Sequence, residues 1–489
     1  MPTGELGLST TRIGNVSAFI IMTAMLVWPA FWNGAPLFYY DSVDYLVQPF
    51  TGEMPVFRTA PYGWFQWLAR LGGSPWPTIV AQAAMVAGIL WLSAAALLPN
   101  VNRVWLVAGV AILSMMTGLS WYVSQVMADS VTGAVFLGAI ALASGRPLPV
   151  FQRVILIVLT ASGMAFHVSH IAVVCGLVIC VVSARIVSRY VPQLRFIRAR
   201  ELVITLVLSI MTAMSANYAA TGRVFLLQNA ANLRMALLIE MGLVKHYLDD
   251  ACPQNQRVSL LCPHRRTLPT TANAYLWNTF GPFHDLGGWK SEVHKQEAEF
   301  IVGEILRRYP AETASRLGSA AFNQFGMVET GDGLRPMFWH LEKPIARYYP
   351  RFLEDFRRAR QQHHIEFGSY ALRDNVLYWL SLAGMVGLGW LAWQMGSRTI
   401  PGAIALVFLV LIGNAIVCGA LSNPNHRYQG RLAWLPLFAM MLGAAELIRL
   451  RRRSGLVLNG TTVPGLVPSH IYVRPQPASL RSEPPRDAA

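Results

Sequence analysis

The stretch FYYDSVDYL, residues 38–46, sets Asp41 and Asp44 three residues apart among aromatics, directly after a long apolar run. In a helical turn an i, i+3 pair shares one face, so both carboxylates would point the same way. Other ionisable groups stand at the edges of other apolar runs. Arg58 lies in PVFRTAPYGW, Asp129 in SQVMADSVTG, His167 and His170 in FHVSH, and His426, Arg427 and Arg431 in NPNHRYQGRLAWLP. A carboxylate can take the proton from an acceptor hydroxyl, while arginines and histidines hold the charge of a departing phosphate. A phosphate carried on a polyprenyl tail would have to be met from the bilayer edge, which calls for multiple spans and interfacial aromatics.

Each group also has a plain structural reading. Asp41 and Asp44 could be solvated at an interface beside an aromatic belt of Tyr39, Tyr40 and Tyr45. Asp129 with Ser130 could N-cap the next helix. His167 and His170 could hydrogen-bond inside a bundle, and Arg427 and Arg431 could snorkel to headgroups. What these readings leave unexplained is sidedness, which depends on the elements that carry the groups.

Those elements are apolar. Of 489 residues 54% are hydrophobic and only 13% charged, about half the charge of a soluble domain, and the mean hydropathy is +0.40. Apolar segments fall near 13–33, 76–99, 104–119, 124–144, 151–166, 169–184, 201–217, 374–395, 400–420 and 432–448, most of them close to the length of a bilayer span. The first lacks a small-residue cleavage site and reads as an anchor rather than a signal peptide. With the N-terminus inside, ten spans put Arg103, Arg146, Arg153, Arg398, the loop of Arg185, Arg189, Arg195, Arg198 and Arg200, and the Arg449, Arg451, Arg452, Arg453 cluster on the inner side. Only Arg58, Arg70, Arg427 and Arg431 remain in short outer connections, as the positive-inside rule requires. Merging 151–166 with 169–184 would put the five-arginine loop outside, so the two count separately.

The expected fold is therefore all-α: a polytopic transmembrane helix bundle of about ten spans, with a mostly helical outer domain inserted between the seventh and eighth. Its parts are a cytoplasmic N-terminus (1–12), a seven-span bundle (13–217), a periplasmic helical domain (218–373), three further spans (374–448) and a basic, then Pro-rich, disordered cytoplasmic tail (449–489). Within the insert, SEVHKQEAEFIVGEILRRYP predicts a helix with Ala298, Ile301, Ile305 and Leu306 on one face, ending at Pro310; ARYYPRFLEDFRRARQQHH predicts a second. Cys252 and Cys262, in CPQNQRVSLLCP, are expected to form a disulfide if this region meets an oxidising compartment. Cys175, Cys180 and Cys418 lie in apolar runs, and no Cys/His spacing reads as a zinc site. The formal charge of +15 is carried largely by arginines between spans. It points to anionic membrane lipids rather than to a nucleic acid, for which no basic domain with base-stacking aromatics is visible.

On this topology, acids and bases from four separate connections collect on the outer face. A buried ionisable group near lipid costs roughly 2.5–3.5 kcal/mol even on the lenient insertion scale, so such groups usually have a task. An aspartate in the first outer loop (Asp41 in YYDSVDYL), an acid at the next (Asp129 in VMADS) and a late Arg427–Tyr428 in HRYQGRLAWLP resemble the C-type membrane glycosyltransferase superfamily, which includes protein O-mannosyltransferases and lipid A aminoarabinose transferases. The resemblance covers roughly 13–217 and 374–448. It departs from the common adjacent-acid or Asp-x-Asp pattern in carrying Asp-x-x-Asp.

The resemblance implies a multi-span enzyme of the bacterial inner membrane, both termini cytoplasmic, with an outward-facing active site. It would move a sugar from a polyprenyl-phosphate donor to an envelope glycan, lipid or protein. Asp41 would be the acceptor base, with Asp44 or Asp129 orienting the acceptor or a divalent metal such as Mg or Mn. Arg58, His167, His170, Arg427 and Arg431 would hold the donor phosphate, and Tyr40, Tyr45 and Tyr428 the acceptor or sugar. The enzyme rival is an O-antigen polymerase or ligase, which also pairs outer arginines and histidines with a large outer loop. The rival from another class is a lipid or solute transporter (flippase), which usually places charges near the bilayer midplane amid broken helices and repeats. A membrane scaffold is the third reading.

Overall fold

The computed structural model describes residues 4–54, 57–191, 197–255 and 258–458, with side chains from 13 to 453. Arg195 and the expected Pro-rich tail lie outside these residues, as do the side chains of residues 1–12. The chain divides into one unit, Met1–Leu447, to which all that follows belongs, and a second from residue 448, whose described part is helical to Leu458.

The described residues are helical apart from turns, loops and one isolated parallel bridge between Leu37 and Gln125. Six helices are long and apolar enough to cross a membrane: Trp76–Leu97, Val168–Val187, Arg200–Thr221, Gly368–Gln394, Thr399–Ala420 and His426–Arg453. Four shorter apolar helices accompany them: Ile13–Leu26, Arg103–Met116, Ala128–Ser144 and Val150–Ala165. Their boundaries follow local chemistry. Pro77 opens the first long helix at a position where no backbone donor is lost. Asn102 caps Arg103–Met116 by accepting from Val104 N at 2.8 Å. The first apolar run is broken at Val27, after which Pro29 sits in the first turn of a separate short helix, Trp28–Asn33. Every residue of Thr132–Ser144 is buried, as expected of a helix that is hydrophobic all round. It joins a core with Met22, Val86, Leu113, Met164, Val407 and Leu437.

The insert behaves as two parts. Residues 231–305 form their own core around Met235, Leu243, Tyr247, Phe283, Ile301 and Ile305, and here Cys252 is bonded to Cys262. The helix Glu292–Arg308 buries Ala298, Ile301 and Ile305, but Leu306 is exposed, being one position too far round the helix to reach that core. Pro310 then starts a new helix, Pro310–Gly326. The second helix expected from sequence is not continuous. Phe338–Tyr348 ends before a 3₁₀ turn at Pro350–Phe352, and Leu353–Arg358 follows, because Pro350 lacks the N–H and the room to continue the first helix. Met337, Leu341, Ile345, Tyr349, Phe352 and Phe356 pack on Ala30, Phe38, Leu46, Ile79 and Val126. The late insert therefore shares a core with the connection that carries Asp41.

Candidate active site

Neutral hydrogen bonds hold the Asp41 turn in place. Leu37 N donates to Ser124 O and Val126 N donates to Leu37 O, both at 2.9 Å, tying the first connection to the 124–129 loop. Gln82, on Trp76–Leu97, donates to Val123 O and Gln125 O at 2.6 and 2.7 Å and accepts from the Tyr62 hydroxyl at 2.9 Å. Gln361 from the late insert accepts from Phe38 N at 3.0 Å and donates back to Phe38 O. These buried amides satisfy backbone groups that would otherwise be costly to bury.

Asp41 stands at the N-cap position of the helix Ser42–Thr51, yet its carboxylate caps nothing. Ser42 Oγ takes the local backbone donor instead, Tyr39 N at 2.8 Å. Asp41 Oδ2 is thereby left to two guanidiniums, Arg58 Nη2 at 2.5 Å and Arg427 Nη1 at 2.9 Å. Asp44, one turn on, faces the same Arg58 at 3.8 Å. Arg427 lies over the Tyr39 ring at 4.0 Å and the Tyr428 ring at 4.9 Å, and donates to the Tyr428 hydroxyl at 3.3 Å. A second ion pair sits nearby: Arg431, with no exposed side-chain surface, is bonded to Asp129. Arg431 Nη2 also reaches Ser169 Oγ at 3.3 Å and Asn414 Oδ1 at 3.4 Å. Asp129 therefore does not cap the following helix; a buried guanidinium needs its charge more than a helix end does. The Nε atoms of Arg58, Arg427 and Arg431 are all buried without a hydrogen-bond acceptor.

The two carboxylates of the first connection differ electrostatically. Burial pushes the Asp41 carboxyl up, but Arg58 and Arg427 together outweigh it and hold the group below its ordinary range. For Asp44 burial wins over the more distant Arg58, and Asp41 adds to it, so the carboxyl is pushed up to about 6. The Asp44 side chain keeps 41% of its exposure, and water at the mouth softens that push.

Other candidates fall elsewhere. His170 is fully buried, with Nε2 on Thr132 Oγ1 at 2.8 Å and Nδ1 on Gly163 O at 3.0 Å. It has no nitrogen left for a phosphate, because its helix turns it into the bundle. His167 caps Val168–Val187 by accepting from Ser169 N at 3.2 Å, which leaves the ring proton on Nε2. Tyr45 is wholly buried against Tyr62, and its hydroxyl has no partner. It packs the floor of the site rather than facing a sugar. Tyr40 stacks on His340. Asp41 Oδ2 faces two guanidiniums and Asp129 faces a third, and no set of three His, Cys, Asp or Glu gathers among the described residues.

One contributing segment carries no mark of a site in the sequence. The loop 327–334 enters beside Arg427, where Asp332 Oδ2 accepts from Arg427 N at 3.4 Å and Glu329 faces His426 at 3.8 Å. Its Gly-Asp-Gly is required by shape: Gly331 and Gly333 have φ of +92° and +76°, and a Cβ on Gly333 would overlap the Tyr39 ring. Thr330 N donates to the buried Asp374 at 2.7 Å, fixing the loop to Gly368–Gln394. Its only sequence signal is the glycine-flanked acid in ETGDGL, a turn mark without a function attached. No family model, no curated protein and no solved structure matches the chain.

Proposed function

We propose that the protein is a multi-span membrane glycosyltransferase, similar to the C-type superfamily, which moves a sugar from a polyprenyl-phosphate donor to a cell-envelope acceptor at the outer face of a bacterial inner membrane. In this reading the chain crosses ten times, with both termini inside and 218–373 outside. The observation that carries it is the Asp41 carboxylate held between Arg58 and Arg427, with Asp44 beside them and with guanidinium Nε atoms lacking acceptors. Buried arginines with spare donors suit a phosphate, which each can hold by two parallel bonds.

The donor phosphate competes with Asp41 for Arg58 and Arg427. As they turn to the phosphate, Asp41 loses the partners that keep it weakly basic. It then accepts the proton of the acceptor hydroxyl while that oxygen bonds to the anomeric carbon. The carbon–oxygen bond to phosphate breaks, and its electron pair leaves with the polyprenyl phosphate, whose charge the arginines hold. Asp129 and Arg431 keep the Arg427 turn in position, and His167 Nε2–H remains a donor for the phosphate.

The test is Asp41→Asn, which preserves volume but removes the basic carboxylate. In nanodiscs we expect folded protein with polyprenyl-phosphate binding retained, and sugar transfer lowered by about two to four orders of magnitude. Arg427→Ala is expected to weaken binding of the same lipid. Full transfer by folded Asp41→Asn would refute the proposal.

A further inference from the structure

The mouth of the site carries an aromatic surface that the reaction as described does not use. The helix Phe338–Tyr348 buries Leu341 and Ile345, a pair one turn apart that fixes which face meets the core. Trp339, two residues before Leu341, is turned to the opposite side and is 66% exposed. Its ring lies 5.7 Å from that of Tyr40 at a tilt of 42°. Tyr40 is held by His340, which stacks on it at 4.0 Å and shares a hydrogen bond with Tyr40 O at 3.1 Å. Tyr40 immediately precedes Asp41, and the charges acting on its hydroxyl are those of Asp44, Asp41 and Arg335. An exposed tryptophan contributes nothing to the core it leaves. Here it sits beside a buttressed tyrosine that directly precedes Asp41, with Asp44 in the first turn of the helix that follows.

We infer that Trp339 and Tyr40 form a carbohydrate platform, on which a hexopyranose ring of the acceptor lies before its hydroxyl meets Asp41. The inference rests on the glycosyltransferase reading. The electron-rich faces of the rings suit the polarised C–H groups on one side of a pyranose, while Asp44 and Arg335 offer an acceptor and donors to its hydroxyls. The platform explains how a site whose buried groups are matched to phosphate also holds a neutral partner in register with the base.

The experiment uses the full chain in nanodiscs and a panel of probes, the methyl glycosides of gluco-, galacto- and mannopyranose, with glycerol as control. Binding is read by saturation-transfer NMR and calorimetry, and undecaprenyl phosphate binding is measured in parallel. We expect at least one glycoside to bind the wild type above glycerol, and Trp339→Ala to weaken it by about tenfold with undecaprenyl phosphate affinity unchanged. Trp339→Leu separates stacking from lipid anchoring: it keeps apolar bulk for an interface but has no π face, so it is expected to lose glycoside binding as the alanine variant does. It also replaces that variant if alanine does not fold. No glycoside binding by wild type, or equal binding by wild type and Trp339→Leu, overturns the platform. Retained undecaprenyl phosphate binding in that case leaves the donor site standing, whereas loss of lipid binding in wild type sinks the glycosyltransferase reading itself.

Discussion

Replacing Asp129 by Asn isolates the most buried ion pair among the described residues. Arg431 has no exposed side-chain surface and Asp129 only 2%, so water cannot stand in for the lost carboxylate. The guanidinium would be left with Ser169 at 3.3 Å, Asn414 at 3.4 Å and the Cys418 sulfur at 3.5 Å, all uncharged. The Tyr428 ring, 5.5 Å away, and the amide oxygen of the new asparagine are weaker partners than a carboxylate, and breaking one side of a buried pair costs about 3–5 kcal/mol. Arg431→Met strands the opposite charge and is expected to cost a similar amount. The double variant, Asp129→Asn with Arg431→Met, removes both charges and is expected to recover most of the loss, giving a coupling of about 3 kcal/mol or more. The assay is a double-mutant cycle from unfolding of the purified protein in mixed micelles. If Asp129→Asn lies within about 0.5 kcal/mol of wild type, the range of an ordinary surface change, the clamp reasoning is wrong.

The Asp44 carboxyl, raised from an ordinary 3.8 to about 6, binds its proton more tightly folded than unfolded. Its contribution to stability is thus complete below the unfolded value and is lost as pH rises through about 6. Asp44→Asn should remove that part of the pH dependence, and an unchanged stability profile between pH 4 and 6 would count against it. Reporter fusions after residues 300 and 470 should report opposite sides of the membrane, and same-side signals would undo the proposed topology. Mass spectrometry of non-reduced protein should find Cys252 linked to Cys262. Closing that ten-residue separation contributes about 3 kcal/mol or less, so Cys252→Ser should lower stability without abolishing folding; two free thiols would refute the link.

The apolar helices were legible because most of each lies in an apolar run, a signal that needs no tertiary context. Sequence also pointed to Asp41, Arg58 and Arg427, which the structure brings into contact; the i, i+3 spacing does turn Asp41 and Asp44 toward one arginine. Which way a residue faces within a turn was not legible. FHVSH marks a span end, but not that His170 points into the bundle while His167 caps the helix. Tyr40 and Tyr45 are close in the chain, yet the helix Ser42–Thr51 turns Tyr45 inside while Tyr40, in the turn before it, stays partly exposed. Asp332 lay hidden in a polar insert, 95 residues from the arginine it meets. The break at Pro350 follows from proline chemistry and was readable. That the late insert joins the core of the first connection was not, because its amphipathic face fits many partners equally well.

The ion pair between Asp41 and Arg427 joins residues 386 positions apart, and this sets a schedule for the protein's birth. At 5–20 residues per second, roughly 20–80 s separate the synthesis of the aspartate from that of its second arginine. For most of that interval Phe38 and Leu46 wait for Leu341, Ile345 and Phe356 to cover them, and until its end Asp41 has only Arg58 of its two arginines. The candidate centre is closed only when the last hairpin is made, so a chain cut short before His426 has most of its apolar helices and lacks the arginine that completes the Asp41 cluster.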